Sequence, residues 1–551
     1  MTRSLRLIRL PILTVSAVFL FAAGAAADPA QLLKEKLDRR IEAEAPKAGQ
    51  PATKSAAAKA RLEAMRAYYD KQQYRPLWLE GARPTDKTRQ LLVVLSKSED
   101  HGLNPKLYAA DALARRAEKA AADDAADLEL DLTIAYLDYA GDVSSGVVEN
   151  PRQVAGSFRD AKRTDAGKLL EQLASATDTA KYLATLAPDT RRYQNVKAAL
   201  ARYRDIEKNG GWPAVSKGPT LKPGMAHARV VEVRKRLAVT GELAGDTSSP
   251  QYDAALAAAV KKFQERHGLV ADGNVGADTA NEMSVPVKAR IEQLVINLER
   301  RRWLAGYLGD RYIYVNIADN DVKVVVNDKT VHVTRAVVGK PFHETPVFSG
   351  MMSYIELSPY WNVPHSIATR DLLPQIKRSP GFIEGNNYLL LTRMGDNNSA
   401  ISSAAVDWSS ISAGNFPYHL RQKPGPWNAL GTMAFMFPNP HNVFLHDTSK
   451  RSLFSVEDRY FSSGCVRIEF PMKLALLLLK DQDNGAWTEK RIQDIVEKKD
   501  PVRVNLKNPI PVHITYLTAW ADPDGTVQFR KDGYKRDAAL KVAMRNVGSI
   551  Q

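Results

Sequence analysis

Two hydrophobic periodicities divide the chain. From about Leu62 to Lys208 apolar residues recur at helical spacing, with Leu130, Ile134 and Leu137 at i, i+4 and i+7 and little β-branched alternation. After Arg301-Arg302 the period changes to two. Ile313, Val315 and Ile317 alternate with other residues, Val322, Val324 and Val326 repeat the pattern, and Val331 and Val333 follow a turn at Asn327-Asp328. Such alternation on either side of a turn predicts strands joined by hairpins. The pattern therefore predicts a multidomain α+β protein, helical first and mainly β later.

Punctuation sets the boundaries. Gly210, Gly211, Pro213, Gly218, Pro219, Pro223 and Gly224 crowd one short stretch and mark a linker. Before it, residues 61–215 read as a helical scaffold domain, with helix ends and turns at His101 to Pro105 and at Gly141 to Pro151. After it, residues 226–285 form a compact unit. Val230, Val233 and Leu237 make one apolar stripe, and Leu256, Val260 and Phe263 a second. Asp272-Gly273 and Gly276 supply turns before a third helical piece near Asp278. The mainly β domain runs from about 305 to 520. Residues 372–425 interrupt it with mixed character, too long for a simple turn, and read as an inserted capping subdomain beside the site. Residues 28–60, rich in Ala, Lys and Glu, read as a flexible lead-in. Residues 521–551 read as a C-terminal tail.

The first 27 residues have a different logic. Arg3, Arg6 and Arg9 precede an apolar run from Leu10 to Phe21, no charge follows until Asp28, and Ala25-Ala26-Ala27 supplies small residues. That arrangement predicts a secretory signal over 1–27, with an uncleaved anchor as the alternative. Either places the protein outside the cytosol, and cleavage would leave no membrane span.

Composition narrows the chemistry. Among 551 residues Cys465 is the sole cysteine, which excludes an intrachain disulfide, a cysteine zinc finger, an iron–sulfur cluster and a redox dithiol. Lys plus Arg (77) exceed Asp plus Glu (62), a net charge of +15 that favours anionic or carboxylate-rich partners. No Walker A loop or aromatic–basic interleaving points to nucleic acid. His343-Glu344 lacks the second histidine of a zincin, His441 reads as a loop residue and His267 as a capping or packing residue, so no metal site and no cofactor are expected.

A lone thiol in an oxidising compartment draws attention to its neighbours. Val443 to Thr448 is an apolar strand pattern that delivers His446, and nineteen residues on stands Ser462-Ser463-Gly464-Cys465-Val466-Arg467. A thiol attacks acyl carbon as thiolate, and a neighbouring imidazole can take its proton and return it to a leaving amine. Gly464 permits close backbone approach and unusual φ, so that N–H groups can face a developing oxyanion. A helix is predicted from Pro471 through Leu479.

His446 followed by Ser463-Gly464-Cys465-Val466-Arg467 resembles the signature of the L,D-transpeptidase catalytic domain. Upstream, Val338-Gly339-Lys340, Thr345 to Gly350, Pro359 to Pro364, Pro424-Gly425-x-x-Asn428-x-Leu430-Gly431 and Phe437-Pro438-Asn439 match as well. Val260 to Gln264, His267-Gly268-Leu269 and Asp272-Gly273-x-x-Gly276-x-x-Thr279 resemble the small three-helix peptidoglycan-binding domain. The chain thus resembles the long multidomain Gram-negative subclass, with Ser463 and Arg467 where many shorter members carry His and Asn.

The resemblance implies Cys465 as nucleophile, His446 as general base and acid, and the backbone N–H groups of Gly464 and Cys465 as oxyanion donors. Arg467, Ser463, Trp361 and Asn362 become candidate substrate-binding residues; Arg467 would hold a carboxylate or else form a structural ion pair. Trp361 and Trp427 wall the groove or fill the core. Implied partners are donor and acceptor stem peptides, with the sacculus held through residues 226–285. The implied reaction is a 3→3 cross-link between diaminopimelate residues, with release of D-Ala. Hydrolysis by the same thiol, a cysteine endopeptidase and a non-catalytic wall-binding scaffold are the rivals.

Overall fold

The computed structural model describes residues 28–44, 52–159, 163–304, 306, 308–379 and 381–550. The proposed signal, 1–27, lies outside the described residues.

The first helix, α1 (Pro29–Ala43), opens on Asp28, whose carboxylate accepts from the N–H of Ala30 at 3.1 Å, and carries proline at its first position. Its large apolar residues Leu33, Leu37 and Ile41 fall on one stripe and are buried in the scaffold core. Together with α2 (Ala52–Lys71) it packs on α3 (Ala125–Ser145), where Arg40 reaches Asp127 at 2.8 Å and Asp131 at 2.6 Å. The flexible lead-in expected over 28–60 is therefore replaced by packed helix over 29–43. Alanine-rich composition hid a stripe that only a distant helix completes. The scaffold closes with α4 (Arg191–Lys208), and the linker follows.

The compact unit contains α5 (Ala228–Thr240), α6 (Ala254–Arg266) and α7 (Ala277–Met283) around one core. Its motif residues are structural. The Gln264 amide, buried, donates to Asp272 at 2.8 Å and to the Asn274 carbonyl at 2.9 Å, and accepts from the N–H of Gly273 at 2.8 Å. His267 stacks on Phe263, with ring centres 3.8 Å apart. A long helix, α8 (Val287–Arg302), then runs through the scaffold core, burying Leu294 and Leu298.

Strand β1 (Arg311–Asn316) pairs antiparallel with β2 (Asp321–Val326), which pairs antiparallel with β3 (Lys329–Gly339). Asn327 and Asp328 both adopt positive φ, as a tight hairpin between right-twisted strands requires. Next come β4 (Ser349–Leu357), the capping strands β5 (Trp361–Asn362), β6 (Tyr388–Leu391), β7 (Ala400–Ile401) and β8 (His419–Gln422), and then β9 (Met433–Met436). Beyond them lie β10 (Leu445–His446), β11 (Tyr460–Ser462), β12 (Val466–Ile468), helix α9 (Pro471–Leu479), as predicted, and β13 (Val502–Thr515).

The main sheet has the order β11-β3-β12-β10-β9-β4-β13-β1-β2, and the β2–β3 pairing closes it on itself. The capping strands form a separate four-stranded sheet, β5-β8-β6-β7, with its own core around Ile376, Ile383 and Trp408. That subdomain begins at Trp361, earlier than the expected residue 372. A two-residue strand carries no periodicity, so only its pairing with β8 reveals it.

The C-terminal segment is not a tail. Strands β14 (Ala519–Ala521) and β15 (Val527–Phe529) form a hairpin, and α10 (Arg536–Asn546) follows. Trp520, Phe529, Leu540 and Met544 belong to the scaffold core, and Phe529 also faces His267 at 5.5 Å. The segment reads as a tail in sequence because its apolar residues are divided among partners from two other domains.

Candidate active site

The parallel pairing of β10 with β12 sets Leu445 against Val466 and His446 against Arg467. Alternation along each strand does the rest. Leu445, Val466 and Ile468 enter the barrel core, whereas His446, Cys465 and Arg467 share the other face. The bond from the N–H of Val466 to the carbonyl of Phe444, 3.1 Å, extends the register to Cys465.

The turn before β12 is held at several points. Ser462 Oγ accepts from the N–H of Gly464 at 3.1 Å and donates to the Cys465 carbonyl at 2.5 Å. Gly464 has φ +119°, a conformation that needs glycine. Its carbonyl accepts from Thr345 Oγ1 at 2.8 Å, and the same hydroxyl accepts from the N–H of Gly339 at 2.9 Å. Tyr534, from the C-terminal segment, donates to the Gly339 carbonyl at 2.6 Å. A Cβ on Gly339 would lie 2.1 Å from the His343 carbonyl, so this glycine lets the 340–344 loop fold back beside the site.

The imidazole is oriented from behind. His446, buried, donates through Nδ1 to the Asp447 carbonyl at 2.5 Å; a carbonyl only accepts, so Nε2 keeps its lone pair. The Asp447 carboxylate accepts from the N–H and hydroxyl of Thr432, each at 2.9 Å, and pairs with Arg451 at 2.9 Å. Gly431, at φ +63°, makes room for that carboxylate, since a Cβ there would lie 2.4 Å from it. Buried Asn428 ties the preceding turn through the carbonyls of Pro359 and Lys423, both at 3.0 Å. The motif from Pro424 to Gly431 thus acts on the histidine's support.

Electrostatics favour a neutral pair at rest. Burial, reinforced by the Arg467 charge, holds the His446 imidazole down to about 3. Burial pushes the Cys465 thiol up to about 11, opposed by a backbone hydrogen bond from Phe444 and by Arg467. The thiol's own hydrogen bond goes to the Asn442 carbonyl at 3.7 Å and not to the imidazole. Sequence reasoning expected a base within hydrogen-bond reach of the sulfur. The strands place the two groups on one face, but in this geometry the proton stays on sulfur.

The remaining candidates divide. The Gly464 N–H is taken by Ser462, so of the two expected oxyanion donors only the Cys465 N–H makes no hydrogen bond among the described residues. Arg467 forms no ion pair among the described residues, and its buried Nε has no partner. The structural ion pair considered for it is absent there. Ser463 is exposed beside the thiol. Trp361 packs on the cap core, its ring 6.3 Å from that of Tyr388, and exposed Asn362 pairs along the cap sheet with Arg421. Trp427 lies under the Lys499 ammonium at 4.9 Å. The cap meets the site loop where Arg370 donates to His343 Nε2 at 2.8 Å. Sequence reasoning missed Ser462, Thr345, Tyr534, Asn442 and Asp447 as parts of the site. All but Tyr534 sit within or next to the matching motifs.

Comparison with known proteins matches three successive parts of the chain. Residues 310–504 match the L,D-transpeptidase catalytic domain, residues 226–283 the putative peptidoglycan binding domain and residues 63–200 the scaffold domain. The catalytic one of these models covers the barrel that carries Cys465 and His446. It is 32% identical over 255 residues to a putative L,D-transpeptidase of Haemophilus influenzae, covering 46% of this chain and 50% of that protein. The chain thus spans about half the length of the curated relative that it matches.

Among solved structures, an L,D-transpeptidase from Mycobacterium smegmatis shares 13% identity over 37% of this chain and 58% of its own, with a TM-score of 0.16. The L,D-transpeptidase (residues 123-326) from Xylanimonas cellulosilytica shares 12% over 54% of this chain and 99% of its own, with a TM-score of 0.17.

Proposed function

We propose that this chain is an exported, periplasmic L,D-transpeptidase that cross-links peptidoglycan through a thioacyl-enzyme on Cys465. The observation that carries the reading is the β10–β12 register, which gathers on one face Cys465, His446 and an Arg467 that has no ion pair among the described residues.

Arg467 binds a carboxylate of the donor stem, for which a guanidinium offers paired donors. The donor carboxylate neutralises the Arg467 charge that helps hold His446 unprotonated, and the thiol proton passes to His446 Nε2 as Sγ attacks the carbonyl of diaminopimelate at stem position three. The oxyanion forms against the Cys465 N–H. The carbonyl–nitrogen bond breaks, and D-Ala leaves with the proton returned from His446. The side-chain amine of a second stem then attacks the thioester, gives its proton to His446 and releases the thiol, leaving a 3→3 cross-link. The capping subdomain keeps water from that thioester. Residues 226–285 hold the sacculus near the site.

Incubating the full chain with tetrapeptide-stem muropeptides tests this by mass spectrometry. Cross-linked dimers with loss of D-Ala are expected, together with an acyl adduct on wild type that Cys465→Ala lacks. Shortened monomers alone would make the protein a carboxypeptidase. Unaltered muropeptides that still pull down the chain would make it a binding scaffold.

A further inference from the structure

Among the described residues an aromatic contact carries the scaffold domain to the loop beside the candidate nucleophile. Ser157 forms a parallel bridge with Val347, and the N–H of Phe158 donates to the Val347 carbonyl at 2.8 Å. Arg159 fixes the segment by donating to the carbonyls of Phe348, 3.2 Å, and Ile514, 3.0 Å. Phe158 thereby lies against His441, with ring centres 4.2 Å apart, while Phe348 covers His441 at 4.8 Å. Arg152 stands over the Phe158 ring at 4.8 Å.

His441 belongs to a loop with little freedom of its own. Asn439 Oδ1 accepts from the N–H groups of His441, 3.0 Å, and Val443, 3.3 Å, and its amide donates to the Val443 carbonyl at 2.7 Å. Asn442, between them, takes φ +52° and presents its carbonyl to Cys465 Sγ. A carbonyl stabilises the S–H form and repels a thiolate, because its lone pairs face the sulfur.

We propose that Phe158 is a positioning residue: by clamping His441 it keeps the Asn442 carbonyl on the Cys465 thiol, so that the scaffold domain restrains the nucleophile. The proposal rests on Cys465 being the reacting group of the site above. It gives the scaffold a part in reactivity besides stability, since a shift of this segment would release the carbonyl from the sulfur.

Iodoacetamide reads the restraint directly, because the chain has one cysteine and intact mass then reports that sulfur alone. Alkylation of the full chain at pH 8 is expected to be roughly threefold to tenfold faster in Phe158→Ala, the span set by one net hydrogen bond. Phe158→Tyr, which keeps the ring, is expected to restore the wild-type rate. A Phe158→Ala chain that melts cooperatively and alkylates at or below the wild-type rate would overturn the proposal. If that variant does not melt cooperatively, Phe158→Leu is held to the same criterion. A wild-type chain that alkylates but releases no D-Ala from stem peptides would defeat the proposed function and leave this comparison intact.

Discussion

The hydroxyl of Thr345 donates to the carbonyl of Gly464 at 2.8 Å while accepting from the N–H of Gly339. One buried side chain therefore locks the turn that presents Cys465 to the strand that carries the site loop. Thr345→Val conserves shape but strands a buried carbonyl and a buried N–H. The expected loss is about 2–6 kcal/mol of unfolding free energy, from roughly 1–3 kcal/mol for each of the two unpaired groups. Denaturant titration checks it, and a change below about 0.5 kcal/mol would show that the hydroxyl is not needed there.

Protonation of His446 couples folding to pH. An unfolded imidazole binds a proton near 6.5, whereas the folded one resists until about 3. Below 6.5 the unfolded state holds more protons, so stability falls as pH drops from 6.5 toward 3. This group alone is expected to contribute a loss of about 2 kcal/mol between pH 7 and pH 5. His101, His267 and His513 are also held low, so the wild type is compared with His446→Gln. Equal pH slopes in the two chains would show that the folded imidazole is not so suppressed.

Arg467 separates binding from stability. Its buried Nε has no partner and no carboxylate pairs with it among the described residues, so Arg467→Met removes a desolvated charge and not an ion pair. The melting midpoint is expected to hold or rise, while the half-saturating donor concentration rises roughly tenfold or more. A fall of several degrees with unchanged donor binding would assign the residue to the fold.

The C-terminal hairpin and helix give the fourth expectation. Removing residues 519–551 uncovers the scaffold-core faces of α4 and α8, and takes away the Tyr534 bond to Gly339. Such a chain is expected to lose cooperative unfolding in calorimetry. A truncated chain with a wild-type transition would restore the tail reading.

Much of this was legible from residue order. The hairpin at Asn327-Asp328 and helix Pro471–Leu479 follow from periodicity and turn chemistry, which are local. That Cys465 and His446 share one face was legible only through motif resemblance, because two residues nineteen apart are brought to neighbouring strands by a parallel ladder that no spacing encodes. Trp361 was undecidable in sequence, since its neighbours come from across the capping sheet.

Sequence by itself determined the domain order, the single thiol and the identity of the residues around it, because each is written in consecutive positions. Tertiary structure alone decided that the lead-in and the tail are core elements. It alone showed that Gly464 has already spent its N–H on Ser462, and that Asn442, not His446, receives the thiol proton's hydrogen bond. Those outcomes depend on which distant surfaces exclude water from one another, and that is settled only when the chain has folded.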